Sequence, residues 1–145
     1  MFSSILVAID GSDTARKALD IACAMATSFE ADLHLVHSPQ LETTLLTVGD
    51  AVVMPAVSPE RIAAAGRDVM QAALAQAIEA GCTPAGTTIG DGDAADDILA
   101  AAKLNDVDLI VMGRRGLGSL ASLFLGSVSQ KVGHGATCSL LTVHG

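Results

Sequence analysis

Two kinds of hydrophobic pattern alternate along this chain. Short unbroken apolar runs, rich in branched side chains, are separated by longer stretches whose apolar positions recur at helical spacing. Ser4 to Ile9 is the first short run, and its lack of in–out alternation predicts a strand covered on both faces. Asp10-Gly11-Ser12-Asp13 interrupts it, with Ser12 or Asp13 suited to cap a helix. That helix spans Thr14 to about Phe29, on the spacing of Ala18, Ala22, Met25, Ala26 and Phe29. Asp32 to His37 reads as a second strand. Residues 38–58 carry no clear period, and an irregular stretch of that length is often functional or mobile. Ser58-Pro59 then marks a helix start, and Gly81 ends that helix after Ala80. A short strand from Ala85 to Ile89 follows. Gly90-Asp91-Gly92-Asp93 forms a turn with Asp93 as cap, and Ala94 to Leu104 forms a helix. Asp108 to Met112 is the most hydrophobic strand. A glycine-rich stretch, a helix from about Ser127 to His134, and a last strand from Ser139 to Val143 complete the chain.

Strands and helices therefore alternate throughout. This predicts an α/β fold in three layers: a mostly parallel five-stranded sheet with helices on both faces. The 145 residues show neither repeat nor linker, so 1–145 is read as a single domain.

Composition narrows the chemistry. The only aromatics are three phenylalanines, so the core is aliphatic and base stacking on aromatic side chains is not a general option. A formal net charge of −8 without a long basic face argues against nucleic acid as the main partner. No apolar run reaches transmembrane length and the N-terminus lacks a basic segment, so neither a membrane span nor a signal peptide is expected. Cys23, Cys82 and Cys138 fit no metal-binding spacing and suit a reducing cytoplasm. Cys23 and Cys138 read as small buried hydrophobes, and Cys82, beside Gly81, is expected to be more exposed.

The candidate chemistry lies after the fourth strand of this series. Gly113-Arg114-Arg115-Gly116-Leu117-Gly118, continuing to Leu125-Gly126-Ser127-Val128, places a glycine-rich loop between a strand and a helix start. Glycines let a ligand approach the main chain, and a helix N-terminus offers free N–H groups, so the expected guest is an anion such as phosphate. Arg114, Arg115 and Lys131 concentrate positive charge there in an otherwise acidic protein. The loop after the first strand, Asp10 to Asp13, leaves the same edge of a parallel sheet, so the two loops share a crevice if their strands are neighbours. Asp10 then falls at the crevice where ligands of such sheets bind, and a capping Ser127 also suits a phosphate. Asp91, Asp93, Asp96 and Asp97 are accounted for by the positive end of a helix. The histidines at 34, 37, 134 and 144 read as structural, and no metal ligand is assigned. With neither a nucleophile elbow nor a Walker lysine, no catalytic residue is assigned.

Over nearly its whole length the chain resembles the universal stress protein family. The resemblance rests on Ile5-Leu6-Val7-Ala8-Ile9-Asp10-Gly11-Ser12, Asp32 to His37, Asp108 to Gly113 with Arg115-Gly116, and Leu125 to Ser129. Gly113, Gly116, Gly126 and Ser127 reproduce the Gly-x2-Gly-x9-Gly-Ser spacing of that family's ATP-binding branch. The resemblance implies strand order 3-2-1-4-5 and an adenine nucleotide (ATP, ADP or AMP, with or without Mg²⁺). It implies base contacts at Asp10 and at the backbone near Ser38, and it extends the nucleotide site to Ala8 and Ile9. Ribose and phosphate contacts fall at Met112, Gly113, Arg115, Gly116, Gly126, Ser127 and Val128. It further implies a regulatory stress-response role and a homodimer through the C-terminal strand. A slow ATPase and a nucleotide-free dimeric interaction module are the alternatives. The chain departs from the family at Ser139, where proline is usual, and at Gly133 and Gly135, where bulk is usual. These changes are expected to fray the last helix and to alter the dimer edge.

Overall fold

The computed structural model describes residues 1–39, 46–48, 51–53, 58–114 and 127–145. Its elements run β1 (Ser4–Ala8), α1 (Asp13–Phe29), β2 (Asp32–His37), β3 (Leu46–Val48), β4 (Ala51–Val53), α2 (Pro59–Glu79), β5 (Gly86–Ile89), α3 (Ala94–Leu104), β6 (Leu109–Gly113), α4 (Ser127–Gly135) and β7 (Ser139–Val143). Five strands form one all-parallel sheet in the order β5-β2-β1-β6-β7. Counted within that sheet, the order is 3-2-1-4-5, as the resemblance implies.

Side-chain parity builds the two covering layers. Along β1, Ile5 and Val7 point into one core and Leu6 into the other; along β6, Leu109 and Val111 separate from Ile110 and Met112 in the same way. The first core is completed by Ala18, Leu19, Ala22 and Ala26 of α1 with Met70, Ala73 and Ala77 of α2. The second is completed by Ala95, Ile98, Ala101 and Ala102 of α3 with Val132 of α4. A continuous apolar strand is the consequence of being covered twice. Alanine dominates the facing positions, which lets the helices lie close to the sheet.

Local signals set the boundaries. Ser12 caps α1, its hydroxyl accepting from the Ala15 N–H at 3.2 Å. Ser58 caps α2 ahead of Pro59, and Asp93 caps α3 by accepting from the N–H groups of Ala95 and Asp96. Gly81, at φ +77, reverses the chain after α2.

Three expectations are corrected. The 38–58 stretch contains a small antiparallel pair, β3 with β4, in the register Leu46↔Val53, Thr47↔Val52 and Val48↔Ala51. Cys82 is buried at 8% exposure in the core with Cys23, because the turn after α2 folds back under the helix and the Cys82 N–H bonds the Ala77 carbonyl. The last helix does not fray at Gly133–Gly135: α4 continues to Gly135, where a Cβ would come within 2.6 Å of Leu99, so the absent side chain lets α4 seat against α3. The Ser139 N–H donates to the Asp108 carbonyl at 3.2 Å, so the donor that proline would lack is used inside the sheet and not at its outer edge. No helix among the described residues is long and apolar enough to cross a membrane.

Candidate functional site

β1 and β6 lie side by side with Ala8 opposite Met112, so the chain leaves both strands on the same edge of the sheet. From β1 the sheet grows one way through β2 to β5, and α3 then carries the chain across to β6 on the other side. The strand order thus reverses between β1 and β6, and ligands of open parallel sheets bind beyond such a point.

On the β1 side, the Ile9 N–H bonds the Val36 carbonyl at 2.9 Å, and the Ile9 carbonyl accepts from Nδ1 of the buried His37 at 2.7 Å. This fixes the structural role expected for His37. The Asp10 carboxylate accepts from the Ser12 N–H at 2.8 Å, across Gly11 at φ +82. Asp10 therefore closes the turn that starts α1, with its carboxyl group held at the mouth of the crevice.

On the β6 side, Met112 turns its side chain into the α3/α4 core and brings only its backbone to the site. Gly113 sits directly against the start of α1: a Cβ on it would lie 2.9 Å from the Thr14 hydroxyl and 3.3 Å from the Ala15 nitrogen. From the other direction, the buried Ser129 in the first turn of α4 donates toward the carbonyls of Gly113 at 3.2 Å and Arg114 at 3.3 Å. The end of β6 is thus flanked by two helix N-termini, those of α1 and α4, whose partial positive charge favours an anion. Ser127 is exposed at the first position of α4, and Val128 packs its side chain on the α3/α4 core. Arg115, Gly116 and Gly126 lie outside the described residues.

The positive charge is distributed differently from the expectation. Lys131 pairs with Asp93 at 3.0 Å, joining α4 to the cap of α3. That contact pulls the Asp93 carboxyl below its ordinary value and raises the Lys131 ammonium. Arg114 stays at the strand ends: its N–H bonds the Val143 carbonyl at 2.8 Å, and its Nη1 lies 3.1 Å from Nε2 of His144.

Ser38 follows the last ladder position of β2 and donates to the Asp97 carboxylate at 2.6 Å. Asp97 therefore does more than sit at the positive end of α3, the role its sequence position suggests. Ser129 and Asp97 are the two site residues that sequence reasoning passes over. Ser129 falls within the family pattern without a role, and Asp97 is hidden in an acidic cluster. A separate open groove of about 490 Å³ lies between α3 and α4, lined by residues that include Leu99, Lys131 and His134. Among the described residues, no three of His, Cys, Asp or Glu converge as a metal site.

The universal stress protein family profile matches residues 1–144. A universal stress protein of Bacillus subtilis, YxiE, is 38% identical over 148 residues, covering 99% of each chain. The solved structure of UspA from Lactobacillus plantarum superposes with a TM-score of 0.76 at 26% identity, covering 97% of each chain. A universal stress protein solved in complex with cAMP superposes with a TM-score of 0.73 at 26% identity, covering 99% of this chain and 97% of that one. The similarity runs end to end in both sequence and fold, and this chain belongs to the universal stress protein family.

Proposed function

We propose that this chain binds an adenine nucleotide in the crevice beyond β1 and β6 and acts as a cytoplasmic regulatory module of the stress response. The observation that carries the reading is the convergence on Gly113 of two helix N-termini, beside the Asp10 turn. Backbone N–H groups and helix dipoles are the donor set a phosphate requires. The related protein solved with cAMP supports an adenine ring in the same fold. Three free cysteines support a reducing compartment.

In this reading Asp10 and the backbone at Ser38 meet the base or ribose, and Ala8, Ile9 and Met112 form the floor with their main chain. Gly113, Ser127 and Val128 receive ribose and phosphate, together with Arg115, Gly116 and Gly126 on the intervening segment. A bound nucleotide would add negative charge, and with it a place for Mg²⁺ on the phosphates. Regulation requires that occupancy favour one of two states, so the nucleotide must bind them with different affinity. The edge position of β7 supports pairing with a second copy of the chain.

The test is direct. The purified protein is denatured and its small molecules identified by chromatography and mass spectrometry, then the emptied protein is titrated calorimetrically with ATP, ADP, AMP and cAMP, with and without Mg²⁺. The expected result is saturable binding of an adenine nucleotide at one per chain. A folded protein that releases none and binds none overturns the reading.

A further inference from the structure

We propose that Asp97 is a positioning residue for base recognition: through Ser38 it fixes the main-chain edge that selects adenine over guanine. The inference rests on the nucleotide site proposed above and assigns that site a specificity determinant on α3.

The β2–β5 ladder ends at His37 and Ile89, closed by the Gly90 N–H bonding the His37 carbonyl at 2.8 Å. Ser38 is the first residue beyond it. Its placement therefore comes from its side chain, not from the sheet. The Ser38 hydroxyl lies 2.6 Å from Oδ2 of Asp97 and 3.2 Å from the Gly92 carbonyl. The same Asp97 oxygen accepts from the Gly92 N–H at 3.3 Å. One carboxylate oxygen thus ties the end of β2 to the turn between β5 and α3. An O–H donating to a carboxylate at this distance is a strong, charge-assisted bond.

Gly90 keeps this arrangement possible. A Cβ there would lie 2.0 Å from Oδ2 of Asp97 and 2.2 Å from its carboxyl carbon. A side chain at 90 would displace the carboxylate, so the glycine and the aspartate form one device.

Adenine offers a ring-nitrogen acceptor beside an amino donor, and guanine offers a carbonyl acceptor beside a ring N–H donor. A main-chain N–H and C=O held in one direction match the first edge and oppose the second. Sites that read a base by hydrogen bonds reject the mismatched one strongly, provided the reading groups do not reorient.

The experiment compares wild type with Asp97→Ala, Asp97→Asn and Ser38→Ala, each verified as folded by thermal denaturation. ATP, GTP and inorganic tripolyphosphate are titrated into each, and the exchange rate of the Ser38 amide is followed by NMR. In Asp97→Ala, ATP affinity is expected to fall about tenfold, as loss of one charge-assisted bond implies. The ATP-over-GTP ratio narrows, tripolyphosphate affinity is unchanged and the Ser38 amide exchanges faster. Asp97→Asn, which keeps an acceptor oxygen, restores most of the ATP affinity, and Ser38→Ala matches Asp97→Ala. Wild-type ATP affinity and base preference in a folded Asp97→Ala protein overturn the inference while leaving the nucleotide site intact. So does an equal loss for ATP and tripolyphosphate. A wild-type protein that binds none of the three ligands overturns the site itself, and this inference with it.

Discussion

The α-carbon of Gly113 faces the first turn of α1 so closely that a methyl group there would sit 3.3 Å from the Ala15 backbone nitrogen and 2.9 Å from the Thr14 hydroxyl. The Thr14 hydroxyl is itself 3.2 Å from that of Ser12, so it has little room to yield. Gly113 therefore has a packing role independent of any ligand. Gly113→Ala is expected to destabilise the protein by about 1–3 kcal/mol, the usual cost of overpacking. Denaturant unfolding without nucleotide measures this. An unchanged midpoint would show that α1 can move aside. A Gly113 variant thus reports on folding as well as on binding, and a loss of nucleotide in it must be read against its stability.

Ser129 holds the same strand end from the other side. Its hydroxyl is buried and serves the carbonyls of Gly113 and Arg114. Ser129→Ala leaves half-buried acceptors without that donor, so a loss of about 0.5–1.5 kcal/mol is expected. Because α4 is then held less firmly against β6, affinity for ATP should fall more than affinity for adenosine, which lacks the phosphates. Titration with ATP and adenosine separates the two, and parallel losses would contradict the assigned role.

Asp108 acts at the opposite edge of the sheet. Burial pushes its carboxyl up, but hydrogen bonds from the Ser3 N–H and hydroxyl, at 2.8 Å each, and from the Ser4 N–H at 3.1 Å outweigh it. The net effect is a folded value below the ordinary 3.8. The ionised form is thus favoured by folding. Its contribution is present above the unfolded value and disappears as pH falls through the folded one. Unfolding measured from about pH 5 to about pH 2 should show a shallower acid loss in Asp108→Asn than in wild type. Nucleotide affinity at neutral pH should be the same in both. Identical acid limbs would remove Asp108 from the account.

Burial pushes the Cys23 thiol up from 9.0 to about 12, reinforced by the neighbouring Cys82 thiol and by Asp20. The unfolded chain ionises first, so this group's contribution is whole below about pH 9 and is lost as pH rises towards 12. Since the thiolate is the reactive form, neither Cys23 nor the buried Cys82 should react rapidly with a disulfide reagent at neutral pH until the protein unfolds. Thiol counting with and without denaturant checks this. Rapid modification of Cys23 in the folded protein would contradict the packing described.

The parts of the fold legible in the sequence are those set by local chemistry. The runs at Ser4 and Asp108 carry their doubly covered character in composition alone, and those at Asp32 and Ser139 are legible as strands. Ser12, Ser58 and Asp93 announce their helices because a cap needs only a short polar side chain ahead of an apolar period. The β3–β4 pair was not legible in this way, because its two runs are only three residues each within a stretch that carries no clear period. Long-range contacts were not announced. Nothing near Asp97 in the chain indicates that it meets Ser38, 59 positions away, and Lys131 of the last helix reads as charge for the anion site until Asp93 is seen beside it. Cys82 looks exposed next to Gly81, yet the turn that Gly81 permits is what buries it.

The central claim is that the crevice beyond β1 and β6 holds an adenine nucleotide. An NMR titration of the isotopically labelled protein with ATP tests both occupancy and location in one measurement. The account predicts saturating shifts of the amides of Ile9, Asp10, Ser38, Gly113, Ser127 and Val128, with Leu99 and His134 in the α3/α4 groove unmoved. Saturating shifts confined to the groove, or none at any nucleotide concentration in a folded sample, would contradict it.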